Sequence, residues 1–155
     1  MLVAMRRTIG RAAFLVGAIG PLAVLIWAGL QTGAIADGSP YRQVISWVPS
    51  LDLTFQFRVD GYGLLFLFVV AGAGIPIFLY SSRYFTSAPK VANFAATMTL
   101  FAGAMVGLVA SDHLLALFVF WELTTITSYL LIGFDDHKAQ ARSAALHAAL
   151  VTGAG

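Results

Sequence analysis

The sequence predicts an all-α, polytopic membrane protein with a short extracytoplasmic hairpin-like loop. The composition is 59% hydrophobic and 10% charged, with a mean hydropathy of +0.86, far from soluble usage. The apolar residues are gathered into four runs, 12–30, 62–81, 92–110 and 114–134, each long enough for a bilayer core of about 30 Å. The basic residues fall in the gaps between the runs.

Arg6, Arg7 and Arg11 precede the first run. Ala34-Ile35-Ala36 imitates a leader cleavage site, but the apolar stretch exceeds the roughly 7–15 residues of a leader core, so 12–30 is expected to be a membrane helix. Residues 31–61 collect Asp37, Gly38, Pro40, Pro49, Asp52 and Asp60 and are expected to form an external loop. Within it, LDLTFQFRV (51–59) alternates with period two, as an arm of a half-buried hairpin does. The second run carries Ala71-Gly72-Ala73-Gly74 ahead of Pro76, which predicts a kink or close helix approach, because proline frees the carbonyl four residues back. Gly72-x-Gly74 has no preceding strand and reads as packing, not as a nucleotide loop. After a polar gap at 82–91, the third run contains Gly103-x-x-x-Gly107, a spacing that favours close helix contact. Ser111, Asp112 and His113 form a tight turn into the fourth run, and a polar gap at 135–143 leads to a last apolar stretch, 144–155. That stretch is too short to span, so the sequence is expected to be part of a longer chain.

Orientation follows from the cations. With residues 1–11 in the cytoplasm, Arg6, Arg7, Arg11, Arg83, Lys90, Lys138 and Arg142 lie inside and only Arg42 and Arg58 outside. Seven against two predicts a cytoplasmic N-terminus, because cytoplasmic loops retain lysine and arginine. Tyr41, Trp47, Tyr80 and Tyr84 lie at the run edges, where aromatic rings anchor at the headgroups.

Several chemistries are excluded or unsupported. The absence of cysteine removes disulfides, iron–sulfur clusters and thiolate metal sites, so any redox chemistry would belong to another polypeptide. The net charge of +2 is scattered and forms no basic stripe, so nucleic acid is not an expected partner. No phosphate loop, zinc-ligand spacing or hydrolase elbow occurs, and neither metal nor cofactor is expected.

One residue stands apart. Glu122, the only glutamate, lies in FVFWELTTITSYLLIGF (118–134), about 12 Å from Leu114 at the helical rise. A charge at the centre of a membrane helix costs roughly 2.5–3.5 kcal/mol on insertion scales, so a retained carboxyl there marks a functional site. Thr125 and Tyr129 follow at i+3 and i+7 on its face, with Ser128 alongside. Such a group can exchange protons near neutral pH if a cation offsets its desolvation, yet no lysine or arginine lies within the runs after residue 12. The partner is therefore expected outside these residues. The alternative is a protonated, hydrogen-bonded carboxyl that serves packing. His113 and Asp112 at one surface, and His147 in the last stretch, are candidate proton carriers, and each can equally serve solvation or a local hydrogen bond.

The string SDHLLALFVFWELTTITSYLLIGF, with FRVDGYGLLF and SSRYF upstream, resembles the antiporter-like membrane subunits shared by Mrp-type multisubunit Na+/H+ antiporters and the membrane arm of respiratory complex I. The match runs from about Val59 onward, and the wording WELTTITS is closer to the large A-type Mrp component than to the complex I relative. The resemblance implies that Glu122 is the family's proton-handling glutamate, paired with a lysine on a later interrupted helix and linked to other sites by waters. Asp60 and Gly61 match its VDG motif. His113 replaces a frequent asparagine, and the 12–30 run corresponds to the family's second helix. The implied protein is an ion-translocating subunit of a bacterial plasma-membrane antiporter, not an enzyme, with Na+, H+, lipid and other subunits of the complex for partners. A proton-pumping subunit of an NADH-quinone oxidoreductase and a non-transporting scaffold are the alternatives.

Overall fold

The computed structural model describes residues 2–48, 53–85, 91–135 and 138–154. In order these form α1 (Leu2–Ala36), β1 (Tyr41–Val48), β2 (Leu53–Val59), α2 (Gly61–Tyr84), α3 (Val91–Ala110), α4 (Leu114–Ile132) and α5 (Ala139–Ala154). Among the described residues, four helical segments are long and apolar enough to cross a membrane: Ala12–Ala36, Gly61–Tyr84, Val91–Ala110 and Leu114–Ile132. The fold class is thus the expected one, a helical multi-pass membrane protein with one hairpin.

Several boundaries differ from those the apolar runs suggest. The first helix runs through 12–30 in both directions, from Leu2 to Ala36, so 31–36 is helix and not loop. No proline interrupts the backbone ladder over 31–36, and the helix stops only where Gly38 takes a φ of 83° and Ser39 N–H closes back on the Ala34 carbonyl at 3.0 Å. Helix α2 extends to Tyr84, α4 ends at Ile132 and not at 134, and α5 begins at Ala139, ahead of 144. Residues 49–52 of the hairpin, 86–90 of the polar gap at 82–91, and 136–137 of that at 135–143 lie outside the described residues.

The hairpin is antiparallel, with Tyr41 opposite Val59, Arg42 opposite Arg58 and Ile45 opposite Phe55. One face, carrying Tyr41, Phe57 and Val59, turns toward the helices. There Tyr41 meets Trp27 edge-on at 5.0 Å, and Val59 is buried with Ala28, Leu64 and Leu67. The outer edge of β2 also grips the α3–α4 turn. Phe57 bridges to Ser111, Asp112 N–H donates to the Gln56 carbonyl at 2.8 Å, and the Phe57 ring lies 6.0 Å from that of Phe120 on α4. At the other end of the bundle, Phe14, Phe78, Val91, Ala95 and Met98 form a second buried cluster, with Phe85, Phe94 and Leu131 against it.

Asp60 starts α2. Its side chain accepts from Gly63 N–H at 3.1 Å, satisfying a donor that the first helical turn leaves open, and Gly61 is the first helical residue. Helix α2 continues through Pro76. The close approach near this proline is at Gly74, where a Cβ would stand 3.2 Å from the ring carbons of Pro21 in α1. Among the described residues, the Gly103-x-x-x-Gly107 spacing does not form a two-glycine contact. Gly107 takes the Phe120 ring into the space a side chain would fill, whereas nothing lies within 4 Å of a Cβ at Gly103.

These contacts predict different outcomes for the two glycines. Gly107→Ala should lower stability by about 1–3 kcal/mol through overpacking against Phe120, whereas Gly103→Ala should be neutral or gain up to about 1 kcal/mol from helix propensity; thermal unfolding of the full-length protein in detergent reads both. Asp60 gives a pH signature. The Gly63 N–H, opposed by partial desolvation and aided by Arg58, holds its carboxyl below the ordinary value of 3.8. A depressed folded value means that the carboxylate's contribution is complete above the ordinary value and is lost as pH falls through the folded one. Asp60→Asn keeps a capping oxygen but removes the charge, so its deficit in unfolding temperature relative to wild type should be constant near neutrality and shrink as pH drops below 3.8.

Candidate functional site

Helix α4 carries the candidate site. His113 is its N-cap, extended at φ −134° and ψ 135°, with Leu115 N–H donating to His113 Nδ1 at 3.2 Å. Along the helix, Ala116, Phe120, Thr127 and Leu131 recur at i, i+4, i+11 and i+15. Ala116 and Thr127 are fully buried, Phe120 fills the space at Gly107, and Leu131 reaches the second cluster. This stripe faces α3. At about 100° per residue, Glu122, Thr125 and Tyr129 fall within about 60° of one another on the opposite side of the helix. Tyr129 is 43% exposed on the surface of the chain.

The hydroxyls of this region are occupied by their own helix. Thr124 and Thr125 donate to the Trp121 carbonyl at 2.7 and 3.2 Å, and Thr127 donates to the Leu123 carbonyl at 2.7 Å. Thr125 therefore shares Glu122's face without bonding to it. Ser128 is half-buried and lies about 120° round the helix from Glu122. The half-buried Glu122 side chain has no hydrogen bond or ion pair among the described residues. The packing alternative, in which Thr125 holds a protonated carboxyl, finds no such bond here.

A groove of about 960 Å3 runs along this face, lined by His113, Leu114, Phe118, Trp121 and Glu122 of α4 and by Thr152 and Ala154 of α5. Its polar groups are at the two ends, with His113 and Glu122 separated by about 13 Å at the helical rise and apolar side chains between them. Across the groove, Trp121 Nε1–H donates to the Thr152 carbonyl at 3.4 Å. This link is not legible in the sequence, because nothing local announces that α5 returns against α4.

The remaining candidates are not gathered with Glu122. Asp112 is exposed and is held through its backbone N–H, and His147 is exposed on α5; neither lines the groove. Among the described residues no group of three histidine, aspartate or glutamate side chains could hold a metal.

Residues 45–95 match the family model "NADH-Ubiquinone oxidoreductase (complex I), chain 5 N-terminus", and residues 111–155 match "NADH:quinone oxidoreductase/Mrp antiporter, TM". The chain belongs to the NADH:quinone oxidoreductase/Mrp antiporter family. Among its relatives is the probable A/B subunit of a K(+)/H(+) antiporter of Rhizobium meliloti (strain 1021), 40% identical over 94% of this chain and 14% of the relative. The A1 subunit of a Na(+)/H(+) antiporter of Staphylococcus aureus (strain JH9) is 35% identical over 74% of the chain and 14% of the relative. The chain thus spans about 14% of the length of these relatives. A chain in the structure of the Mrp complex from Dietzia sp. DQ12-45-1b superposes with a TM-score of 0.69 at 26% identity, covering 99% of this chain and 18% of that one. With four helices long and apolar enough to cross a membrane, the chain is a multi-pass membrane protein.

The His113 cap yields a test. His113→Ala removes the acceptor for Leu115 N–H and should cost about 1 kcal/mol, whereas His113→Asn supplies another acceptor and should retain most of it. The measurement is thermal unfolding of the full-length protein at neutral pH.

Proposed function

We propose that this chain is part of an ion-translocating membrane subunit of a multisubunit cation/proton antiporter in the bacterial plasma membrane, with Glu122 as its proton-exchanging group. The observation that carries the reading is the position of Glu122: near the middle of an apolar helix, on the side away from α3, without a partner in the described chain. A carboxyl in lipid without a partner is not a stable arrangement. In the assembled protein this face requires polar protein or water against it, and a cation held there would favour the ionised form. Proton uptake at Glu122 cancels its charge and weakens that cation's hold. Release restores it, so proton occupancy and the neighbouring charge are coupled.

The groove supplies a route between Glu122 and the surface. His113 marks its mouth, and the apolar wall formed by Leu114, Phe118 and Trp121 separates the two polar ends. Water entering the groove would complete a path. Thr125 and Tyr129 extend Glu122's face deeper along α4, where Tyr129 offers a hydroxyl to whatever covers it. Asp112 and His147 lie off this route, at the hairpin-clamped turn and on α5, and act in proton delivery only through groups outside it. The transported cation is taken to be Na+ or K+, since the two relatives carry those ions in their names, and the partners are the other subunits of the complex.

A second reading is a proton-pumping subunit of an NADH-quinone oxidoreductase. It draws on the match of residues 45–95 to the complex I family model and uses Glu122 in the same way, with a redox subunit in place of the cation gradient.

The test is Glu122→Gln in the complete complex, with cation-dependent collapse of a pH gradient followed in inverted vesicles. At equal assembly, exchange should fall by about 100-fold or more, and Glu122→Asp should retain a measurable part. Wild-type exchange in the glutamine variant would sink the proposal. Loss of assembly in both variants would assign Glu122 to packing. A pH gradient that builds on NADH oxidation and that added Na+ or K+ does not collapse would favour the second reading.

A further inference from the structure

The hairpin contains an electrostatic anomaly that proton exchange does not use. Arg42 on β1 and Arg58 on β2 are directly opposed in the antiparallel register, so their side chains leave the same face with Cβ atoms about 4.5–5.5 Å apart. Like charges directly opposite destabilise a strand pair, so the packing of the hairpin's inner face on the helices has to offset the cost of bringing them together.

The neighbouring charges do not neutralise the pair. Arg58 Nη2 lies 3.5 Å from Asp60 Oδ2, beyond the length of a strong charge-assisted hydrogen bond. The other Asp60 oxygen is taken by Gly63 N–H. Arg58 Nε is buried without a hydrogen-bond partner, and Arg42 is exposed with no ion pair or hydrogen bond among the described residues. Asp112 comes alongside β2 through its backbone bond to Gln56 but makes no ion pair with either arginine. Of the two guanidinium groups, only that of Arg58 has a carboxylate beside it, and that one is loosely held.

Their depth narrows what can answer them. The membrane-spanning part of α2 begins at Gly61, three residues after Arg58, and the register carries Arg42 to the same level. Tyr62 is 80% exposed on the first turn of α2, and Tyr41 adjoins Arg42 on β1, in the manner of the aromatic belt at a bilayer surface. At this level the abundant anion is the lipid phosphate. Guanidinium groups match phosphate oxygens with paired N–H donors.

We propose that Arg42 and Arg58 together bind the phosphate of an anionic phospholipid headgroup, which relieves their repulsion and fastens the hairpin to the membrane surface. Free inorganic phosphate offers the same oxygens, so the experiment separates the two sources. The full-length protein in its native assembly is placed in nanodiscs of phosphatidylcholine, and binding of added fluorescent phosphatidylglycerol is measured for wild type, Arg42→Gln and Arg42→Lys. Arg42 is chosen because replacing it leaves the Arg58–Asp60 contact in place.

Wild type should prefer phosphatidylglycerol over an equally labelled phosphatidylcholine. Arg42→Gln should weaken that preference about fivefold, the effect of one basic residue at an anionic surface, and Arg42→Lys should restore part of it. Insensitivity to Arg42→Gln at unchanged assembly, or equal binding of both lipids by wild type, overturns the proposal. Displacement of the lipid by millimolar inorganic phosphate, at constant ionic strength set with chloride, would assign the pair to a free ion and overturn the lipid assignment.

Discussion

The grip of β2 on the turn between α3 and α4 is the constraint on which the candidate site depends. A three-residue polar turn leaves the following helix free to rotate and tilt. Here the Gln56 carbonyl takes Asp112 N–H at 2.8 Å, Ser111 bridges Phe57, and His113 caps the first turn of α4. The Phe57 ring reaches Phe120, which in turn enters the space at Gly107. Once Phe120 faces α3, helical geometry directs Glu122, two residues on, to the far side. The hairpin, outside the apolar spans, thereby sets the rotation of a helix that lies within them.

That rotation gives α4 two unlike faces. The α3 side is completed inside the chain: it is apolar except for Thr127, whose hydroxyl is satisfied by the Leu123 carbonyl. The Glu122 side is not completed. Its threonine hydroxyls are turned back to the helix, so the carboxyl gains nothing from them, and its groove is spanned by a single described link, Trp121 to Thr152. The packed face and the face that carries the lone carboxyl are therefore on opposite sides of one helix. A change at Glu122 can alter charge without disturbing the contact that holds α4 in place.

The hairpin belongs to both sides of this division. Its inner face is part of the core through Tyr41 and Val59. Its outer face brings Arg42 and Arg58 together at the level where α2 enters the membrane. An element that fixes the turn ahead of α4 is thus also the element that sets two like charges opposite one another.

Much of this is legible in the sequence. Apolar runs of about 20 residues have few alternatives to helices in lipid, because every backbone donor must be satisfied within the segment. Period-two alternation in LDLTFQFRV points to a hairpin arm for the same kind of reason, since successive side chains leave opposite faces of a strand. The cost of a buried carboxylate singles out Glu122 from one letter. Helix ends are less legible: α1 runs past its apolar stretch to Ala36, because hydrogen bonding, not hydropathy, ends a helix. Of the Gly103 and Gly107 pair only Gly107 meets a neighbouring helix closely, through Phe120, since spacing shows which residues share a face and not what approaches it. Which side of α4 Glu122 takes, and that two arginines stand opposed, depend on contacts between distant segments. Sequence determined the elements and the costly residue because those follow from local periodicity and solvation. Only the tertiary structure decided their rotation and pairing, because these arise from packing between segments that local pattern does not encode.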